Sequence, residues 1–197
     1  MPAAVDTRLA RLARRRPAAP ERCDLCAAPV PADHRHLLER EERRILCACR
    51  ACALLFDRGG RFVPIPTRRR RLDDLRLDDA MWEDLRLPVD IAFFVPDSRA
   101  GRVVAYYPGP MGATESHLRL DAWEALAAAN PVLGTLTPDV ETLLVNRAQG
   151  ARSHWLVPID DAFRLVAVIR THWKGLTGGR DVWQAVPRFF DALTERS

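Results

Sequence analysis

The sequence predicts an α+β protein: an N-terminal zinc ribbon followed by an antiparallel-sheet α+β domain. Three observations carry that expectation. Two Cys-x2-Cys pairs, Cys23/Cys26 and Cys49/Cys52, lie close together near the start. Five short apolar runs rich in β-branched and aromatic residues follow, most of them separated by turn-length polar segments. Apolar residues at helical spacing return between and after those runs, which places helices against a sheet joined mainly by hairpins.

Residues 1–20 form the first segment. Leu9, Leu12 and the alanines between Val5 and Arg16 recur at helical spacing, and Arg14, Arg15 and Arg16 fall where the helix dipole favours cations. Pro17 and Pro20 then bound a short linker. Residues 21–67 form the ribbon. Pro29 and Pro31 turn the chain out of the first cysteine pair, His34-Arg35-His36 reads as a polar hairpin tip, and Arg43 to Leu46 reads as a strand leading into the second pair. Leu54-Leu55-Phe56 and Phe62-Val63 read as strands about a tight turn at Gly59-Gly60.

Arg68 to Arg71 marks a boundary, and residues 72–197 are expected to be an independent α+β domain. Ile91 to Val95 and Arg102 to Tyr107 form a hairpin, after which Pro108-Gly-Pro-Met-Gly112 breaks the strand. Thr114 or Ser116 is then placed to cap a helix through Leu120, Trp123, Leu126 and Ala127. Leu143 to Asn146, Trp155 to Ile159 and Arg164 to Ile169 read as a three-stranded meander, with helices on one side of the sheet. A helix from Asp181 to about Glu195 closes the chain, and Pro187 is expected to distort or break it.

Charge is unevenly spread along the 197 residues. Residues 1–71 hold 17 arginines against eight acids, net +9, whereas residues 72–197 hold 13 basic against 18 acidic side chains, net −5. Four thiolates on one Zn²⁺ lower the first figure to about +7, still a field that attracts acidic surfaces of protein or nucleic acid. From Asp73 to Asp97 there are eight acids and two arginines, so the basic ribbon is either docked on this acidic stretch or joined to it by a solvated arginine hinge. No run of about 18 apolar residues exists, so no membrane span is expected. The start is arginine-rich but has no apolar core of a secretory signal, and clustered thiols suit a reducing compartment, so a cytoplasmic location is expected.

The cysteines supply the clearest chemistry. All five lie between Cys23 and Cys52, and the two pairs are 22 residues apart. A two-residue gap lets both thiolates of a pair face one ion while backbone N–H groups point at the sulfurs. Two such pairs close a tetrahedron, so Cys23, Cys26, Cys49 and Cys52 are expected to hold one structural Zn²⁺. Rubredoxin-type iron is the rival, because it too takes four thiolates. Iron knuckles commonly carry glycine beside the cysteines, where this chain has Ala27 and Ala53. Cys47 stands two residues before Cys49 and either replaces it as ligand or packs as a small apolar side chain. His34 and His36 are left outside the ligand set.

Other chemistry is weaker. Gly109 to Thr114 and Gly175 to Gly179 are each expected to precede a helix, yet neither matches a phosphate-binding loop. Ser116-His117 and Ser153-His154 are adjacent pairs whose side chains face apart on a strand, and no Gly-x-Ser-x-Gly turn accompanies them. His172, read as ending the last strand, marks where a small-molecule pocket would have its wall. Five tryptophans (Trp82, Trp123, Trp155, Trp173 and Trp183) serve mainly as core, with one or two available to a docking face.

Cys-x2-Cys, then Pro-x-x-His-Arg-His-Leu-Leu, then Leu-Cys-Ala-Cys-Arg-Ala-Cys-x-Leu-Leu-Phe, with Trp-Lys-Gly-Leu-Thr-Gly-Gly-Arg at 173–180, resembles an uncharacterised bacterial family over most of residues 20–195. That family is associated with gene clusters of actinobacterial-type nickel–iron hydrogenases. The resemblance implies a neighbourhood rather than an activity: a non-enzymatic accessory protein whose partner is a hydrogenase subunit or maturation factor. Two other expectations stay open. One is a nucleic-acid-binding regulator, though Phe56 and Phe62 are the only aromatics near the cysteines for base stacking. The other is a redox or metal-handling protein in which Cys47 is the extra thiol.

Overall fold

A computed structural model describes residues 21–56, 60–117, 119–175 and 177–197. The helix expected over Val5 to Arg16, and most of the turn at Gly59-Gly60, lie outside the described residues. The architecture is α+β with two antiparallel sheets. A three-stranded sheet has the order β2-β1-β3, from β1 (Arg35–Glu39), β2 (Arg44–Ala48) and β3 (Phe62–Pro64). A six-stranded sheet has the order β4-β9-β8-β5-β6-β7. Its strands are β4 (Arg70–Arg71), β5 (Ile91–Asp97), β6 (Arg102–Gly109), β7 (Gly112–Ser116), β8 (Glu141–Asn146) and β9 (Ser153–Pro158). Five α-helices accompany them among the described residues: α1 (Arg50–Leu55), α2 (Asp79–Asp84), α3 (Leu120–Ala129), α4 (Ile159–His172) and α5 (Gly179–Thr194). None is long and apolar enough to cross a membrane.

Alternation along β5 explains the layering. Ile91, Phe93 and Val95 point to one face and join Leu144, Trp155 and Val157 beneath α4 and α5. Ala92 and Phe94 point to the other and join Leu143, Val145 and Leu156 beneath Trp82 of α2, Leu85 that caps it, and Trp123 and Leu126 of α3. Every residue of β8 is buried, as a strand covered on both faces requires. The sheet is therefore sandwiched, and the expectation of helices on one side only is corrected. Of the five tryptophans, Trp82, Trp123 and Trp155 are core, while Trp173 and Trp183 are half-buried.

Three local expectations fail for identifiable reasons. Arg164 to Ile169 belongs to α4 and is no strand. Its β-branched density suggested a strand, but Ile159, Ala162, Leu165, Val166 and Ile169 form the buried stripe of a 14-residue helix with Asp160 and Asp161 in its first turn. Pro108 to Gly112 does not lead to a helix: Gly109 pairs with Gly112 and closes a hairpin, so Thr114 and Ser116 lie in β7. Gly112 takes φ 122°, which glycine adopts without a Cβ penalty. Leu54 and Leu55 end α1 instead of starting a strand. The hairpin between β5 and β6 is as expected. In α5, Pro187 is accommodated without a break, its ring on the exposed side.

The two sheets are tied together at several points. Leu38 of β1 and Ile65, just after β3, lie in the same apolar cluster as Val157, Leu165 and Phe190. Arg43 reaches Asp139 at 2.9 Å and Asp97 at 3.3 Å. The arginine run is anchored to the large sheet and α4 and is no solvated hinge, although Arg68, Arg70 and Arg71 keep exposed side chains. Arg68 grips the buried carboxylate of Glu141 through two bonds of 3.0 and 2.9 Å, and Arg69 meets the fully buried Asp161 at 2.5 Å. Arg70 and Arg71 pair with Leu156 and Trp155 as the edge strand β4.

Candidate metal centre

The first cysteine pair sits in a tight loop. The Cys23 amide donates to Ala28 O at 2.8 Å, the Ala27 amide donates to Cys23 O at 2.8 Å, and Arg22 and Pro29 form an antiparallel bridge across its base. Ala27 takes φ 60°, a left-handed conformation that favours glycine, so the loop holds its shape against a local backbone cost. The second pair is built differently. β2 ends at Ala48, and Cys49 becomes the N-cap of α1, its Sγ accepting the Cys52 amide at 3.4 Å. Asp24 joins the two halves: its amide donates to Cys47 O at 2.9 Å, and its carboxylate accepts the Cys47 amide at 2.6 Å.

These elements bring the sulfurs of Cys23, Cys26, Cys49 and Cys52 within 4.8 Å of one another. The Cys26 and Cys49 sulfurs are 3.7 Å apart. A tetrahedral ion with metal–sulfur bonds of about 2.3 Å sets its sulfurs about 3.8 Å apart, so the cluster can hold one metal ion. Val30 and Leu25 pack on Cys23 and Cys52, giving the inner pair an apolar floor, while Cys26 faces solvent. All five cysteines are free thiols in the structure.

The electrostatics of the thiols also favours a cation at the centre of the cluster. Burial raises the Cys23 thiol, but the backbone N–H groups of Cys49, Leu25 and Cys26 outweigh it and bring Cys23 down to about 6. Burial, and then the neighbouring Cys26, Cys49 and Cys23, push Cys52 up to about 12. One sulfur is thus readily ionised, and the negative charge gathered there resists ionisation of the last. A cation at the centre supplies the missing counter-charge.

Cys47, which the sequence offers as an alternative to Cys49, lies instead with His34 and His36, apart from the four-sulfur cluster. His36 lies on β1 opposite Cys47 on β2, and His34 is two residues before it; the hairpin turns at residues 40–43, so the histidines are not at its tip. One ring nitrogen of each histidine and the Cys47 sulfur lie within 4.8 Å of one another. The signal available in sequence was the shared i, i+2 spacing of His34/His36 and Cys47/Cys49, but it required the hairpin register to read. Burial, then Asp24, Glu21 and Cys23, push the Cys47 thiol above its ordinary value.

Other candidates disperse. His172 lies near the end of α4, exposed, with Nδ1 on Val168 O at 2.9 Å. His154 is buried in β9 with Nε2 unpartnered, away from Ser116 and His117 of the β7 end. Gly175 and Gly178 do precede a helix, but Gly178 serves packing: its φ is 88°, and a Cβ there would meet Val182 Cγ1 at 2.8 Å.

The model of a family of unknown function (DUF5947) matches residues 22–197, so the chain belongs to that family, and the match takes in both sheets and all five cysteines. No curated protein and no solved structure matches the chain.

Proposed function

We propose that this DUF5947 protein is a non-enzymatic accessory protein in which Cys23, Cys26, Cys49 and Cys52 hold a structural Zn²⁺ and the folded surface binds a protein partner. One observation carries the reading: four thiols converge at a separation suited to a tetrahedral ion, with every position supplied by protein. Such a site has no place for an activated water or a substrate, so its contribution is shape. Beside it the surface is unusually apolar. Leu54 and Leu55 are 65% and 73% exposed, and Phe56 packs edge-on against Phe62. Exposed apolar side chains next to a rigid knuckle favour a protein contact over a nucleic acid. Arg68 and Arg69, which a nucleic-acid surface would present, are engaged with buried carboxylates. The motifs that resemble the hydrogenase-associated bacterial family support a reading in which the partner is a nickel–iron hydrogenase subunit or a maturation factor.

Capture from the native host with the tagged full-length chain, alongside metal analysis, tests this reading. The expected result is stoichiometric zinc and a co-purifying hydrogenase component. Deletion of the gene should lower hydrogenase activity while growth without hydrogen stays normal. Unchanged hydrogenase activity, together with tight salt-dependent DNA binding by the purified protein, favours the regulator instead. Iron with visible absorption at the thiolate cluster favours the redox reading.

A further inference from the structure

We propose a second metal site on the same hairpin: a single divalent ion of the zinc class held by Nε2 of His34, Nε2 of His36 and Sγ of Cys47, with its fourth position open to solvent or an added ligand. The three donors come from paired strands. His36 and Cys47 are direct cross-strand partners, and one ring nitrogen of each histidine and the Cys47 sulfur lie within 4.8 Å of one another.

Each histidine is already oriented for the purpose. His34 Nδ1 donates to Pro31 O at 2.8 Å, and His36 Nδ1 donates to Asp160 Oδ2 at 2.8 Å. A metal-binding histidine usually fixes its ring by donating the distal N–H to a carbonyl or a carboxylate, and both kinds of partner are present here. With Nδ1 engaged, Nε2 is the nitrogen left with a lone pair. On His34 that atom is buried and has no hydrogen-bond partner, on a side chain only 5% exposed. An unsatisfied buried acceptor destabilises the fold, and a bound cation removes that cost. The two rings stand edge to face with centroids 4.7 Å apart, so they approach a common point instead of stacking. Glu21, 3.6 Å from His34, and Asp24, bound to the Cys47 amide, add negative charge nearby.

Two imidazoles and one thiolate suit zinc and its neighbours among divalent first-row ions. Binding releases one proton, from the Cys47 thiol, to solvent. Three protein donors leave one coordination position free, unlike the closed four-sulfur cluster. Asp160 opens α4, so the site also bridges the hairpin and the large sheet's helical layer. The site stands independently of the proposed partner.

The test is zinc titration of the full-length metal-free chain, read by native mass spectrometry and by X-ray absorption of the zinc-saturated wild type. Two ions per chain are expected, with an average zinc environment of roughly 2.5 sulfurs at about 2.3 Å and one protein nitrogen at about 2.0 Å. His34→Gln and Cys47→Ser should each bind one ion and shift the average to four sulfurs. One ion in the wild type with four sulfurs and no nitrogen overturns the second site and leaves the four-cysteine site intact. One ion with two nitrogens and one sulfur keeps the second site and overturns the four-cysteine reading. The absorption measurement needs no variant, so a variant that fails to fold leaves the proposal testable.

Discussion

Arg69 offers a sharp test of how the cysteine-bearing module is fastened to the large sheet. Its guanidinium lies 2.5 Å from Asp161, whose side chain is fully buried at the start of α4. Replacing Arg69 with Met removes the charge but keeps much of the aliphatic stem. Breaking a buried ion pair by deleting one partner typically costs about 3–5 kcal/mol, because the surviving charge is stranded. Here Arg164 remains at 3.0 Å and Arg196 at 3.9 Å, both substantially exposed, so part of the compensation survives. The expected loss is about 2–3 kcal/mol, and at a urea slope near 2 kcal/mol/M it lowers the midpoint by about 1–1.5 M. The assay is equilibrium urea unfolding followed by tryptophan fluorescence. Arg69→Met/Asp161→Leu should recover more than half of the loss, since no buried charge is then left unpaired and the exposed Arg164 and Arg196 are solvated. A midpoint change under about 0.25 M for Arg69→Met would refute the argument and return the arginine run to the solvated hinge suggested by its sequence.

Other consequences follow from specific contacts. His154 is buried, and burial first, then Arg147, lower its pKa below 6.5; stability is full above that unfolded value and falls as pH drops towards the folded one. The slope contributed there is at most about 1.4 kcal/mol per pH unit, and His154→Leu should flatten stability between pH 6.5 and 5 in urea titrations; an unchanged slope argues against it. Gly178→Ala forces a Cβ against Val182 and Trp173 at φ 88°, and should cost about 2–4 kcal/mol by thermal unfolding, whereas an unaltered midpoint would mean the turn relaxes freely. A chain beginning at Leu72 loses Leu38 and Ile65 from the shared apolar cluster and strips Glu141 and Asp161 of Arg68 and Arg69. It should bind an apolar dye and unfold without a sharp transition; cooperative unfolding with native near-ultraviolet dichroism would show instead that residues 72–197 are self-sufficient.

Cysteine spacing made the four-sulfur cluster legible, because a two-residue gap fixes where two thiolates can point whatever the rest of the chain does. The β5–β6 hairpin was legible for a similar reason: two apolar runs flank a polar turn of Asp-Ser-Arg-Ala-Gly. The class, α+β with antiparallel sheets, follows from such local signals. What escaped depended on distant partners. Arg164 to Ile169 is rich in β-branched residues, and its helical stripe shows only when Ile159 and Ala162 are counted with it. The pairing of His36 with Cys47 rests on a register set by a turn at residues 40–43. Arg68 and Arg69 look like a basic run until Glu141 and Asp161, more than 70 residues away, are seen buried against them.

The most direct test of the central claim is native mass spectrometry of Cys26→Ser and Cys49→Ser beside the wild type, all prepared with zinc. Both residues have partly exposed sulfurs, so the substitutions disturb packing less than changes at Cys23 or Cys52. The account predicts that each variant carries one zinc ion fewer than the wild type and loses amide protection around Cys23 to Val30 and Arg50 to Leu55, with β8 and β9 still protected. A full wild-type complement of zinc in both variants would contradict it.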